Sequence, residues 1–320
     1  MPINDYWSIL KHSYRVTIHN PVLWLLGLFL AGGFNINFFY WANLRLRWRT
    51  SGEIAVNWLQ QNLHTTHAVI GGGAVIIGVA AIIILANWAK VVFVLHTSNI
   101  LKLKRMRPSV PDNAEPVTAV RESPNYLFSV TCMSLFTMVA TAVVVTVLGG
   151  ASQVLFDSRG VIWLVAALVF VAFVFFFSCL NIFASFFIIF YRKQFGAALN
   201  LSLDLIVSRS LVIFVMAIIL MVVYGLCFFA GTSILFIFRT ATIGLLGPLV
   251  QNGLVSAGAY YGLITALSGL LLWVWLAMVN TFFNVSLLLL FTRLVQPPYH
   301  PEFKSLLANL PAAMPGPAAS

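Results

Sequence analysis

Six stretches of the chain, each about 20 residues or longer, are almost wholly apolar. They cover residues 21–41, 68–95, 126–148, 161–191, 211–238 and 260–291. A helix crosses a hydrocarbon core of ~30 Å in about 20 residues, at ~1.5 Å per residue. Inside lipid every backbone N–H and C=O must be satisfied within the protein, so single apolar stretches of this length can only be helices. Composition agrees about the solvent. Of 320 residues, 61% are hydrophobic and 8% charged, where a soluble domain carries about 25% charged residues. One water-surrounded core of this size could not enclose so much apolar surface. The expected fold is all-α: a polytopic bundle of six transmembrane helices over residues 21–294. An interfacial amphipathic helix at 1–20 precedes it, and a Pro/Ala-rich tail at 295–320 follows it.

The first stretch is the weakest, because Gly32-Gly33, Asn35 and Asn37 interrupt it. It reads as a span rather than a signal peptide. The segment before its apolar core is long and contains Asp5, and no small-x-small cleavage site follows. Lys and Arg placement sets the orientation. With the N-terminus inside, the inner side holds Lys11, Arg15, Lys102, Lys104, Arg105, Arg107, Arg121, Arg192, Lys193, Arg209, Arg293 and Lys304. The outer side holds Arg45, Arg47, Arg49, Arg159 and Arg239. Twelve against five places both termini in the cytoplasm. Lys90 lies within the second span, nearer its inner end, and is expected to snorkel toward the inner headgroups. Trp273 and Trp275 fall mid-span, away from the headgroup level, and are expected to pack between helices.

Outside the spans, residues 4–20 place Trp7, Leu10, Tyr14 and Ile18 on one helical face, which suits a helix lying on the inner leaflet. Residues 45–67 read as an outer loop with a short surface helix. Residues 244–259, apolar and Gly-rich, read as an outer loop or a re-entrant turn.

A repeat is visible. The patterns Ile9-Leu10-Lys11-His12-Ser13, Ala119-Val120-Arg121-Glu122-Ser123 and Ala198-Leu199-Asn200-Leu201-Ser202 each precede an odd-numbered span. In the even spans Asn87, Asn181 and Asn280 each lie well inside an apolar helix. The chain thus reads as three helix hairpins, each led by a short surface helix, with the repeat axis along the membrane normal. A buried amide needs a partner in lipid. These three Asn are therefore candidate intramembrane polar contacts, either as glue between helices or as a ligand path.

The acids Asp5, Glu53, Asp112, Glu115, Glu122, Asp157, Asp204 and Glu302 all lie outside the apolar cores, which argues against ion-coupled transport. His64 and His67 share a helix face, but no nearby acid completes a metal site. No phosphate-loop, dinucleotide, nucleophile-elbow or zincin motif occurs, so no cofactor, no metal and no enzymatic activity are expected. The densest charge run, Lys102, Lys104, Arg105 and Arg107, either sets topology or meets anionic headgroups. Expected partners are membrane lipids and a partner protein or second copy, with no nucleic acid.

The opening segment WSILKHSYRVTIHNPVLWLLGLF and the segment FGAALNLSLDLIVSRS before the fifth span resemble poorly characterised bacterial six-span membrane proteins. These include the membrane domain attached to some glycerophosphodiester phosphodiesterases. The resemblance implies a bacterial inner-membrane location and a lipid-related or accessory role. No counterpart of the soluble phosphodiesterase domain lies within these 320 residues, so no active-site residue carries over. The expected function is a non-enzymatic scaffold or lipid-associated component; the alternative is a small permease subunit with a path between the hairpins.

Overall fold

The computed structural model describes residues 3–30, 66–101, 116–155, 161–251 and 256–295. Within them the chain is helical throughout: α1 (Ile3–His19), α2 (Val22–Phe29), α3 (Thr66–Ile100), α4 (Pro116–Glu122), α5 (Pro124–Leu155), α6 (Val161–Tyr191), α7 (Phe195–Ser208), α8 (Ser210–Gln251) and α9 (Ala257–Val295). Among the described residues, five helices are long and apolar enough to cross a bilayer: Ala80–Ile100, Pro124–Val144, Ala172–Tyr191, Ser210–Gly244 and Gly262–Val295. The first expected span is helical over Val22–Phe29, and its remainder lies outside the described residues. So do residues 45–65 of the outer segment expected over 45–67, whose last two residues begin α3, and the tail beyond Val295.

The helices overrun several boundaries expected from sequence. The fifth span continues from 238 to Gln251, straight through Gly244 and Gly247, and α9 begins at Ala257. Most of 244–259 is therefore helix rather than loop. Glycine weakens a helix in water, but an apolar stretch in lipid has no water to take up freed backbone groups, so the helix carries on.

The chain divides into two compact units. One comprises Met1–Ala31 with Arg209–Thr292, the other Gly32–Ser208 with Arg293–Ser320. In the first, α1 and α2 are separated by a break at Asn20-Pro21. Three side chains answer the carbonyls of the last turn of α1: Asn20 Nδ2 donates to Val16 O (2.8 Å), Trp24 Nε1 to Thr17 O (2.8 Å), and His19 Nδ1 pairs with Arg15 O (2.8 Å). Helix ends need such partners, because their final carbonyls have no helical donor.

Helix α2 lies close against α9. Thr281 Oγ1 donates to Leu23 O (3.0 Å) or to its own helix at Ala277 O (2.9 Å). Between α8 and α9, Tyr224 and Phe283 meet edge to face at 5.4 Å. Trp275 Nε1 donates to Cys227 O (3.0 Å), one turn before Gly231. Trp275 does pack between helices; Trp273, by contrast, is 54% exposed. With α8 on one side only, one of two neighbouring indoles must face outward.

A Cβ at Gly231 would sit 2.5 Å from the Trp275 indole nitrogen, whereas Gly225 has open space around it. Gly231→Ala should therefore cost about 1–3 kcal/mol through overpacking. Gly225→Ala should be neutral or stabilising by up to about 1 kcal/mol. Unfolding midpoints of the two variants in detergent check the contrast, and equal midpoints would contradict it.

In the second unit α5 and α6 form a hairpin. α3 packs on both, α4 lies against α3 and α5, and α7 against α6 and α5. Tyr191 ends α6. Arg192 then adopts φ 49°, the left-handed cap conformation usually taken by glycine, and turns the chain into α7. Near this end the helices are buried on all sides: Val91 to Leu95 on α3, Phe186 to Phe190 on α6. Toward the opposite end their large side chains are exposed, among them Ile77, Ile82, Val139 and Phe173. A helix apolar all round is what lipid as well as a core accepts.

Ser13, Ser123 and Ser202 of the recurring pattern are all fully buried. Each bonds back to its own turn: Ser13 to Ile9 O (2.8 Å), Ser123 to Val120 O (2.8 Å) and Ser202 to Ala198 O (2.7 Å). In each case a small hydroxyl satisfies itself locally and lets a short helix seat against its neighbours.

Candidate functional site in the middle of the spans

Three helices of the second unit carry polar residues at one depth. Lys90 lies ten residues before the end of α3 at Ile100, Ser134 ten after the start of α5 at Pro124, and Asn181 ten before the end of α6 at Tyr191. At ~1.5 Å per residue this level is about 15 Å from those helix ends, the middle of a ~30 Å hydrocarbon core. Asn87 and Ser185 complete the group, each one turn from a member on its own helix.

The hydrogen bonds form a closed set. Lys90 Nζ donates to Ser185 Oγ (2.8 Å), Asn181 Oδ1 (3.2 Å) and Asn181 O (3.4 Å). Ser185 in turn donates to Asn181 O (2.6 Å), leaving its oxygen to accept from the lysine. The Ser134 hydroxyl donates to Asn87 Oδ1 (2.6 Å), with Asn181 Oδ1 a longer second acceptor (3.3 Å). Asn87 Nδ2 donates to Ile83 O (2.9 Å). The acceptor load on Asn181 Oδ1 fixes which way its amide faces.

Lys90 therefore does not snorkel. The headgroup level at the Ile100 end lies further off than a lysine side chain can span. Its Nζ is met instead by uncharged oxygens of α6.

Of the three Asn singled out in the sequence, Asn87 and Asn181 come together through Ser134. Asn280 belongs to the other unit. It is 2% exposed, and its backbone oxygen accepts from Asn284 Nδ2 (2.8 Å). Lys102, Lys104, Arg105 and Arg107 lie outside the described residues. Lys90, Ser134 and Ser185 were missed as partners, though a signal existed. Asn87 with Lys90 (i, i+3) and Asn181 with Ser185 (i, i+4) each put two polar groups on one face of an apolar helix.

Helix α1 presents a second arrangement. Tyr6, Ile9, Ser13, Val16 and Thr17 form its buried face. Burial, with Asp5 adding to it, raises the Tyr6 phenol above its ordinary range. Opposite, Trp7 (69% exposed), Tyr14 (61%) and Ile18 (41%) point outward, with Lys11 and Arg15 exposed between them. The helix is thus two-sided: it docks by one stripe and offers aromatic and basic groups by the other.

No family model, curated protein or solved structure matches the chain. The reading of its function rests on its own chemistry.

Proposed function

We propose that the protein is a non-enzymatic membrane component that engages anionic lipid at one leaflet and serves there as a scaffold. The outward stripe of α1 carries this reading. Amphipathic rings favour the headgroup level, and Lys11 and Arg15 beside them suit phosphate. The charge run Lys102, Lys104, Arg105 and Arg107 in the sequence is a further candidate for anionic headgroups. The resemblance at the opening segment and the Lys/Arg bias support a bacterial inner membrane with both termini in the cytoplasm.

The test is hydrogen exchange across residues 3–19 of the full chain in nanodiscs. Each basic residue near an anionic surface contributes about 1 kcal/mol. Phosphatidylglycerol should therefore slow exchange in α1 by up to about thirtyfold relative to phosphatidylcholine. The double variant Lys11→Gln/Arg15→Gln should lose that difference. Equal exchange of the native chain in the two lipids would end the proposal.

The mid-depth cluster favours a second reading, a small permease subunit with a path past Asn87 and Asn181. Flux of acetate, phosphate or chloride into proteoliposomes, lost in Lys90→Met, would support it over the scaffold.

A further inference from the structure

A lysine at mid-depth raises a question of charge. An ionised ammonium in hydrocarbon is costly unless a counter-charge accompanies it. The three described partners of Lys90 are a serine hydroxyl, an amide oxygen and a backbone carbonyl, all neutral. The eight acids in the sequence all fall outside the five described spans and outside residues 21–41, so none of these segments supplies a carboxylate at that depth.

The surrounding groups are arranged to receive one. Lys90 and Asn181 are half-buried rather than sealed in. The Lys90 bond to Asn181 O, at 3.4 Å, is the longest of its three and the easiest to exchange. With Asn181 Oδ1 committed as an acceptor, Asn181 Nδ2 is a donor with no partner among the described residues, and it is not fully enclosed. An ammonium and an amide N–H side by side match the two oxygens of a carboxylate. Past the cluster, away from Ile100, Ile82 and Leu85 on α3 and Met138 and Val139 on α5 are exposed, giving an apolar wall along the spans.

We infer that Lys90, with the Asn181 amide beside it, is the docking point for an Asp or Glu carried at mid-depth on a transmembrane helix of a partner protein. Depth selects this occupant over a fatty acid. A free carboxylate rests at the headgroups, about 15 Å away, and would give up its hydration to descend. An acid on a transmembrane helix is held at that level by its own backbone, and its helix covers the apolar wall. The inference goes beyond the lipid reading and does not depend on α1.

The experiment uses the full chain in phosphatidylcholine nanodiscs. Its probe is a synthetic single-span Leu/Ala helix with one central Glu, compared with Gln and Leu versions, and energy transfer between labels reports binding. The Glu peptide should bind at least tenfold more tightly than the Leu peptide. Lys90→Met should reduce it to the Leu level, and Lys90→Arg should retain most of the preference. Asn181→Asp guards against misfolding: it pairs the cation within the chain, preserves packing, and should also abolish the preference. Equal binding of the Glu and Leu peptides, or an undiminished preference in either Lys90→Met or Asn181→Asp, overturns the inference. Lys90-dependent binding of oleate without any preference for the Glu peptide would assign the site to a free fatty acid and overturn it equally.

Discussion

Replacing Asn181 by leucine should destabilise the protein by about 2–3 kcal/mol, well above the ~0.6 kcal/mol average for a hydrogen bond between membrane helices. The size follows from what the amide holds. Asn181 Oδ1 accepts from Lys90 and is the second acceptor for Ser134. Without it Lys90 keeps only Ser185 Oγ and a long contact to a backbone carbonyl. Removing the partner of a buried charge costs more than the bond itself, because the charge remains. Partial exposure of Lys90 moderates the effect, which keeps the figure below that of a fully enclosed pair. The double variant Lys90→Met/Asn181→Leu should recover about 2 kcal/mol relative to the sum of the single changes, since it removes the cation along with its acceptor. Unfolding free energies by steric trapping in bicelles measure all three. Additive costs, or a loss under about 1 kcal/mol in Asn181→Leu, would mean that the lysine does not depend on this amide.

Gly27→Leu should block assembly of the first unit. A Cβ at this position would lie 2.5 Å from the Ala277 carbonyl oxygen and in collision with Thr281 Oγ1. The obstacle is backbone, so it cannot swing aside as a side-chain tip can. Gly27→Ala sets two effects against each other. Helix propensity gains about 1 kcal/mol, while overpacking costs about 1–3 kcal/mol. Contact with a rigid carbonyl puts the cost at the upper end, so a net loss of about 1–2 kcal/mol is expected. With leucine, no neighbouring rotamer relieves the clash, and folded protein should fall severalfold in the membrane fraction. Thr281→Val, which keeps the shape and deletes the hydroxyl's hydrogen bonds to Leu23 O and Ala277 O, should cost about 1 kcal/mol or less. If Gly27→Leu accumulates to native levels with an unchanged unfolding midpoint, α2 does not lie against α9 as described. Together the three changes separate close approach from hydrogen bonding as the source of this contact.

Residue order alone was enough for the helical class and for five long apolar helices among the described residues, though not for their bounds at 244–259. Apolar stretches of bilayer length must be helices, whatever surrounds them. A recurring Ser one turn after a small or apolar residue marked the short helices, and of the face expected on α1, Trp7, Tyr14 and Ile18 are exposed while Leu10 is half-buried. Only the tertiary structure decided which polar groups meet: Lys90 with Asn181 and Ser185, and Asn87 with Ser134. It also decided that Trp275 is inserted while Trp273 is not, and that Gly27 faces a backbone carbonyl. The physical reason is the solvent. In water, a helix reveals its buried side by its polar one. In lipid both sides are apolar, so α3 and α6 carry almost no mark of their inward face, and the rotation and depth at which they meet come from packing between helices far apart in sequence.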